Sequence, residues 1–169
     1  MFKYEWIWQK TKVSYFMNAK RRPLQTTESI LVFGNFSISP QFGLKGKYNP
    51  QGITEENKDI TYNGYLDTSN RGERKGRTYK KKNTNYPKNL LSIKSEEGLH
   101  PTQKPVALFE YLIKTYSNEG DLVLDNCAGS FTTAIASENL KRNWICIEKE
   151  PKYVEIARER IKNMPIKLF

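Results

Sequence analysis

Apolar residues recur in two short runs near the start of the chain. Residues 4–9, YEWIWQ, alternate and are rich in aromatic side chains, and residues 29–34, SILVFG, form an apolar run that ends at a glycine. Both patterns predict β-strands. The segment between them, NAKRRPLQTTE, has no apolar face, so we expect it to be a connecting loop.

The pattern becomes regular after residue 100. Apolar residues at helical spacing predict an amphipathic helix over about residues 104–117. Pro105 is compatible with this prediction, since proline is tolerated in the first turn of a helix. DLVLD then predicts a buried strand, residues 132–140 a helix, NWICIE a second buried strand, and Pro151 the start of a last helix. This order predicts half of a doubly wound parallel sheet in an α/β protein.

Residues 37–99 differ from both flanks, because Gly, Asn, Lys, Tyr and Ser dominate them and apolar residues are sparse. Within them, RGERKGRTYKKKNTNY combines seven Lys or Arg with one acid and two tyrosines. Clustered cations neutralise phosphates and tyrosines stack on bases, so this composition favours contact with nucleic acid, while a solvated loop is the alternative. The candidate DNA-binding residues are Arg71, Arg74, Lys75, Arg77, Lys80, Lys81 and Lys82.

The overall charge points the same way as this segment. The chain of 169 residues has 28 Lys and Arg against 18 Asp and Glu, a net charge of +10, so an anionic partner is the first expectation. Cys127 and Cys146 have no metal-ligand spacing, which indicates reduced thiols in a cytosolic protein and no metal site. No apolar run approaches the ~18 residues of a membrane span, and no signal-peptide pattern is present, so we expect a soluble protein of the cytoplasm.

The chemistry of the second half centres on DNCAGSFTTAIA, residues 125–136. Ligands of such sheets bind outside the carboxyl ends of the strands, where Asp125 and Glu148 are predicted to end two neighbouring strands. An acid about 20 residues beyond a loop glycine, as Glu148 is from Gly129, suits the two hydroxyls of a ribose. In the alternative interpretation, Asp125 is a helix cap and Glu148 a surface acid.

Two adenosine cofactors use this geometry. A pyrophosphate such as that of NAD needs a Gly-x-Gly-x-x-Gly turn, and this loop offers only Gly129. S-adenosylmethionine has no phosphate, and its sulfonium and amino group are better served by carboxylates and carbonyls. Asp125 therefore favours the methyl donor over NAD.

Two stretches resemble a known family. HPTQKPVALFEYLIKTYSNEGDLVLDNCAGSFTTAIA and WICIEKEPKYVEIARERI are similar to the carboxyl-terminal part of the β-class DNA methyltransferases, the N6-adenine and N4-cytosine enzymes of restriction and phage systems. The resemblance is dense over residues 100–162, and FKYEWIWQKT and ESILVF resemble an upstream strand pair. It implies an α/β fold, a partial Rossmann-like methyltransferase sheet with an inserted irregular target-recognition region.

The resemblance also implies domains and roles. Residues 1–36 would be later strands of the catalytic sheet, residues 37–99 the target-recognition region for double-stranded DNA, and residues 100–169 the S-adenosylmethionine-binding half. Adenine N6 is favoured over cytosine N4 by overall likeness only. The implied cofactor-binding residues are His100, Thr102, Gln103, Lys104, Asp125, Ala128, Gly129 and Glu148.

The family's catalytic signature, Asp or Asn, Pro, Pro, then Tyr or Phe, does not occur in this sequence, so no catalytic residue is assigned. YNPQ and NYPK contain similar residues in the wrong order. We expect Met1 to correspond to an internal methionine of the family and the chain to transfer no methyl group alone. It would be a gene remnant or the second half of a split enzyme whose partner chain carries the motif.

Phe131 is a second departure, since the family has glycine there. A left-handed backbone costs a non-glycine residue about 1 kcal/mol or more, and the ring adds bulk, so weak cofactor binding is expected. A truncated sheet should also leave an unpaired edge and exposed apolar surface. The alternative function is a non-catalytic DNA-binding module with a vestigial cofactor site.

Overall fold

A computed structural model describes residues 1–14, 16–35, 46–62, 77–96, 98 and 102–164. The chain divides into two compact units, the first formed by residues 1–49 and 88–169 and the second by residues 50–87. The elements are β1 (Phe2–Ser14), a 3-10 turn (Phe16–Asn18), β2 (Gln25–Phe33), β3 (Thr54–Tyr62), β4 (Arg77–Thr84), β5 (Leu90–Ser92), α1 (Val106–Tyr116), β6 (Leu122–Asp125), α2 (Thr132–Asn139), β7 (Asn143–Cys146) and α3 (Pro151–Lys162).

The first sheet of the larger unit has the strand order β2-β1-β5. β1 pairs antiparallel with β2 and parallel with the short β5. Alternation along β1 turns Trp6 and Trp8 inward, where they form the buried core with Leu91 and Leu108. The predicted amphipathic helix is present as α1, and its Leu108 contributes to that core.

The indole N–H groups of the two core tryptophans both donate hydrogen bonds. The indole of Trp8 donates to the carbonyl of Ile93 at 2.8 Å, and the indole of Trp6 donates to the Tyr116 hydroxyl. Burial is the main reason that the pKa of Tyr116 is raised above its usual range. The Trp6 bond joins α1 to β1, the Trp8 bond joins β1 to the segment after β5, and α1 also packs on α2.

The predicted parallel pair is present as β6 and β7, in which Leu124 lies opposite Ile145. α2 covers one face of the pair, where Thr133 bonds Asp125 and the ring of Phe131 contacts Trp144. In the described part of the chain, β7 is the only strand beside β6. The other face carries four exposed apolar side chains, so the expected apolar surface is observed: Leu122, Leu124, Ile145 and Ile147.

The smaller unit contains a strand pair that the sequence did not predict. β3 and β4 are antiparallel, and Asp59 lies opposite Lys80. Their sequences, TEENKDITY and RTYKKKNT, lack alternating apolar residues, so backbone ladders and cross-strand pairs stabilise them rather than a buried face. β5 also falls within residues 37–99, yet it belongs to the larger unit, where it pairs with β1.

No helix in the described ranges combines the length and the apolar character that a membrane crossing requires.

Candidate cofactor site and basic strand pair

The loop after β6 is tied to both of its neighbours by Asp125. Its Oδ1 accepts a hydrogen bond from the Cys127 amide at 3.0 Å, and its Oδ2 accepts one from the Thr133 hydroxyl. Thr133 lies in the first turn of α2, so Asp125 joins the strand end, the loop and the helix. This is close to the helix-capping role that the sequence left open, and it leaves the carboxylate at the sheet edge.

Glu148 reaches the same loop from the end of the neighbouring strand. Its Oε2 accepts a hydrogen bond from the Gly129 amide at 2.8 Å, and its Oε1 accepts from the amides of Lys149 and Glu150, each at 2.9 Å. The strand itself ends two residues before Glu148, at Cys146, and Ile147 then bonds the Asp125 carbonyl and the Ala128 amide. The convergence of Gly129 and Glu148 predicted from their spacing is observed.

The amide groups of this loop donate to protein acceptors. Cys127 donates to Asp125, Gly129 donates to Glu148, Ala128 donates to the carbonyl of Ile147 at 3.0 Å, and Phe131 donates to the carbonyl of Ala128 at 2.8 Å. A pyrophosphate site needs loop amides directed at the ligand. The sheet edge instead carries the Asp125 and Glu148 carboxylates beside this loop, and their negative charge suits a cationic ligand group.

Phe131 precedes α2 in the left-handed conformation, with φ 58° and ψ 38°. Such a backbone is unfavourable for a residue with a side chain and favours glycine. The ring packs edge-on against Trp144, with a centroid distance of 6.3 Å. The strained backbone expected from the sequence is present, and part of its cost is offset by this aromatic contact.

The residues of the TQKP segment reach different partners. Gln103 contacts the loop, because the Ser130 hydroxyl donates to its Oε1 at 3.1 Å. Lys104 instead binds Glu28 of β2 at 3.0 Å and the carbonyl of Thr102 at 3.2 Å. Burial alone would raise the pKa of Glu28. The hydrogen bonds and positive charges of Lys104 and Lys10 together outweigh burial, so the pKa of Glu28 lies below its usual value. Thr102 is exposed, and His100 lies outside the described residues.

The two cysteines flank this region with different exposure. Cys127 is exposed, whereas burial, with a smaller contribution from Asp125, raises the pKa of the Cys146 thiol to about 11. Among the described residues, no group of three His, Cys, Asp or Glu side chains could hold a metal ion.

The predicted DNA-binding cations fall on and before β4. Lys80 and Lys82 are exposed, and Lys81 forms an ion pair with Glu56 of β3 at 2.8 Å. Arg77 begins β4, but its side chain is not described. Three of the predicted residues lie outside the described ranges: Arg71, Arg74 and Lys75.

Sequence reasoning missed Ser130 and Arg160. Ser130 is 3% exposed, and Arg160 of α3 donates to its carbonyl at 2.6 Å and to its hydroxyl at 3.0 Å. Helical spacing gave a signal, because Arg160 follows Ile156 and Ala157 by four and three residues and shares their face. The charge of Arg160, however, is typical of a solvated surface residue, so the sequence did not identify this contact.

A family model described as "DNA methylase", covering N6 and N4 methyltransferases, matches residues 1–159. Type II methyltransferase M.HpaI of Haemophilus parainfluenzae is 48% identical over 62 residues, which are 37% of this chain and 20% of that protein. Type II methyltransferase M2.DpnII of Streptococcus pneumoniae is 45% identical over 65 residues, 38% of this chain and 24% of that protein.

Solved structures match over nearly the whole chain. The M1.HpyAVI–SAM complex has a TM-score of 0.59 and 29% identity, and the match covers 95% of this chain and 62% of that one. The cytosine-N4-specific PvuII DNA methyltransferase has a TM-score of 0.59 and 18% identity, and the match covers 98% of this chain and 52% of that one. At this identity the similarity is one of fold. The chain spans less than two thirds of these relatives.

Proposed function

The chain belongs to the DNA methylase family of N6 and N4 methyltransferases, and from this premise we propose that it is the cofactor-binding and DNA-recognition part of such an enzyme. One observation carries the proposal. The Gly129 amide bonds the Glu148 carboxylate at 2.8 Å, so the loops at the carboxyl ends of β6 and β7 form one continuous edge. That edge is where α/β sheets bind ligands.

S-adenosylmethionine fits this edge better than a dinucleotide does. Four loop amides are already donors to protein acceptors, which leaves poor provision for a pyrophosphate. Asp125 and Glu148 supply negative charge for a ligand that carries a sulfonium and an ammonium group. The solved M1.HpyAVI complex contains SAM, which supports the same assignment for this chain.

Within this proposal each segment has a role. Glu148 accepts hydrogen bonds from the ribose hydroxyls. Each carboxylate oxygen can accept more than one hydrogen bond, so these bonds add to those from the backbone amides. Ala128 and Gly129 let the ligand approach the loop backbone, and Asp125 holds the loop in place. Gln103 faces the methionine end. The resemblance alone assigns Thr102, Lys104 and the preceding His100 to the same end, since Lys104 is paired with Glu28 of β2.

The reaction assigned to the complete enzyme is methylation of an exocyclic amine in DNA. The bound cofactor supplies the methyl group, and the amine is presented by a motif that this sequence lacks. We place adenine N6 ahead of cytosine N4, and only the resemblance of residues 100–162 supports that order.

A separate chain carrying the catalytic motif is proposed as the partner. The exposed face of Leu122, Leu124, Ile145 and Ile147 is typical of a parallel pair made to be buried on both sides. β6 has a strand partner on one side only in the described part of the chain. The match covers 62% of the solved relative, and a chain equivalent to the unmatched portion would cover this apolar face.

Tritium-labelled S-adenosylmethionine tests the proposal. We expect the folded chain to retain the label in equilibrium dialysis but to transfer none to unmethylated DNA. Addition of a second chain that carries the catalytic motif should start transfer, with N6-methyladenine as the product. Transfer by the chain alone would contradict the split assignment, and failure to retain the cofactor would contradict the site.

The basic strand pair is proposed to contact DNA phosphates. Replacing both Lys80 and Lys82 by glutamate should weaken DNA binding by about tenfold or more, since two exposed cations become anions. The slope of log affinity against log salt should fall by about 2. The matched control replaces two exposed lysines of α3, Lys152→Glu and Lys162→Glu, which makes the same change in net charge and should weaken DNA binding less. Unchanged DNA binding by Lys80→Glu/Lys82→Glu in a filter assay would contradict a role of the strand pair in the interface.

The second candidate is a DNA-binding module with a vestigial cofactor site. The observation that favours it is the left-handed backbone of Phe131, because a side chain there restricts the loop. DNA binding without any retention of labelled cofactor would support this candidate over the first.

A further inference from the structure

A chain of hydrogen bonds links α3 to the TQKP segment through the loop after β6. The Arg160 Nη1 atom donates to the Ser130 carbonyl at 2.6 Å and to the Ser130 hydroxyl at 3.0 Å. The hydroxyl in turn donates to Oε1 of Gln103 at 3.1 Å. Three segments distant in sequence are thereby held by one buried serine.

The direction of these bonds fixes the orientation of Gln103. Because Arg160 has no acceptor atom, the Ser130 oxygen must accept from it, and the serine hydrogen is then directed to the next acceptor. That acceptor is the carboxamide oxygen of Gln103, which leaves the amide nitrogen as the donor end of the side chain. A donor at that end suits the carboxylate of an amino-acid ligand.

The burial of the bonded groups makes the chain of contacts costly to break. Ser130 is 3% exposed and Thr132, a weaker neighbour of Nη1 at 3.4 Å, is 5% exposed. Burial lowers the pKa of the Arg160 guanidinium, while Glu96 opposes that shift. An arginine nevertheless stays charged in proteins, so it remains a strong donor to Ser130.

Gly98 lies close against the carboxamide of Gln103. A Cβ atom at Gly98 would lie 2.1 Å from Oε1 and 2.4 Å from Cδ of Gln103. The end of a flexible side chain can move away from such a clash at little cost. An alanine at this position would therefore displace the carboxamide and weaken its bond with Ser130.

We propose that Arg160 is a positioning residue for cofactor binding, acting through Ser130 to orient Gln103 toward the methionine end of S-adenosylmethionine. The inference rests on the proposed function for the identity of the ligand. It also predicts selectivity, because adenosine alone lacks the amino-acid group that Gln103 would meet.

The test compares Arg160→Met with Arg158→Met, which removes an exposed arginine two residues earlier on the same helix, paired with Glu155. Calorimetry should show that Arg160→Met weakens S-adenosylmethionine binding by about tenfold and adenosine binding by less than about twofold. Arg160→Lys should restore part of the loss, and Arg158→Met should change neither affinity. In a Gln103→Leu background, Arg160→Met should have little further effect, since the two residues act as one unit.

A second measurement needs no cofactor. Hydrogen exchange should accelerate in residues 126–132 and 102–105 of Arg160→Met, but not in β1 or β2, and Gly98→Ala should affect residues 102–105 more than residues 126–132. Equal exchange in Arg160→Met and the parent, or equal losses of S-adenosylmethionine and adenosine affinity, would overturn the inference. Absence of cofactor binding by the parent chain would contradict the proposed function instead, and the exchange result would still decide the role of Arg160.

Discussion

Replacement of Glu148 by alanine is expected to weaken S-adenosylmethionine binding by about 100-fold or more, equivalent to about 2.7 kcal/mol. A hydrogen bond to a charged group contributes about 1.5–3 kcal/mol, and the proposed ribose contacts are two such bonds. The substitution also removes the acceptor of the Gly129 amide, which lies 2.8 Å from Oε2. Both losses act at the same edge of the sheet, and isothermal calorimetry measures their sum.

The matched control is Glu150→Ala. Glu150 is exposed, lies two residues beyond Glu148 and makes no side-chain cap to α3. Its removal should leave the cofactor dissociation constant within about twofold, and Glu148→Gln should lie between the two because it keeps one acceptor oxygen. Similar thermal midpoints for the folded variants would show that binding, not folding, was changed. Equal affinities for Glu148→Ala and Glu150→Ala would contradict the ribose assignment.

Phe131→Gly is expected to strengthen cofactor binding by about 5- to 10-fold, or about 1–1.4 kcal/mol. The substitution removes the Cβ and the ring from a loop that a ligand must approach closely, at a φ of 58° that glycine adopts freely. Stability should change little, because relief of about 1–2 kcal/mol of strain is offset by loss of the Trp144 contact, worth about 0.5–1.5 kcal/mol.

Phe131→Ala separates the two causes. Alanine removes the ring but keeps the Cβ atom and its strain, so its gain in affinity should be smaller than that of glycine. The comparison requires titration of parent, alanine and glycine proteins under the same conditions. Weaker binding by Phe131→Gly than by the parent would show that the ring supports the ligand rather than obstructing it.

Local patterns predicted the elements of residues 100–169 well. They indicated α1, β6, α2, β7 and α3 to within a few residues, because helical periodicity, short apolar runs and a proline in a first turn are signals contained within each segment. The spacing of Gly129 and Glu148 predicted their meeting, because parallel strands bring their carboxyl ends to one edge. The departure of Phe131 from glycine likewise predicted a left-handed residue.

Other features depend on contacts that no local pattern encodes. β3 and β4 are polar strands, so their pairing leaves no apolar alternation to recognise. β5 is three residues long and is defined by its partner β1. The role of Lys104 was also inaccessible, because its ion pair with Glu28 joins segments 76 residues apart in sequence. For Arg160, helical spacing indicates only the face that it shares with Ile156 and Ala157, because its partner Ser130 lies in the loop after β6.

We propose that the edge formed by Asp125, Gly129 and Glu148 binds S-adenosylmethionine. Calorimetric titration of the cofactor into the purified chain tests it most directly. We expect saturable binding with one site per chain, and no comparable binding of NAD under the same conditions. Absence of S-adenosylmethionine binding by both the folded parent protein and Phe131→Gly, or preference for NAD, would contradict the account.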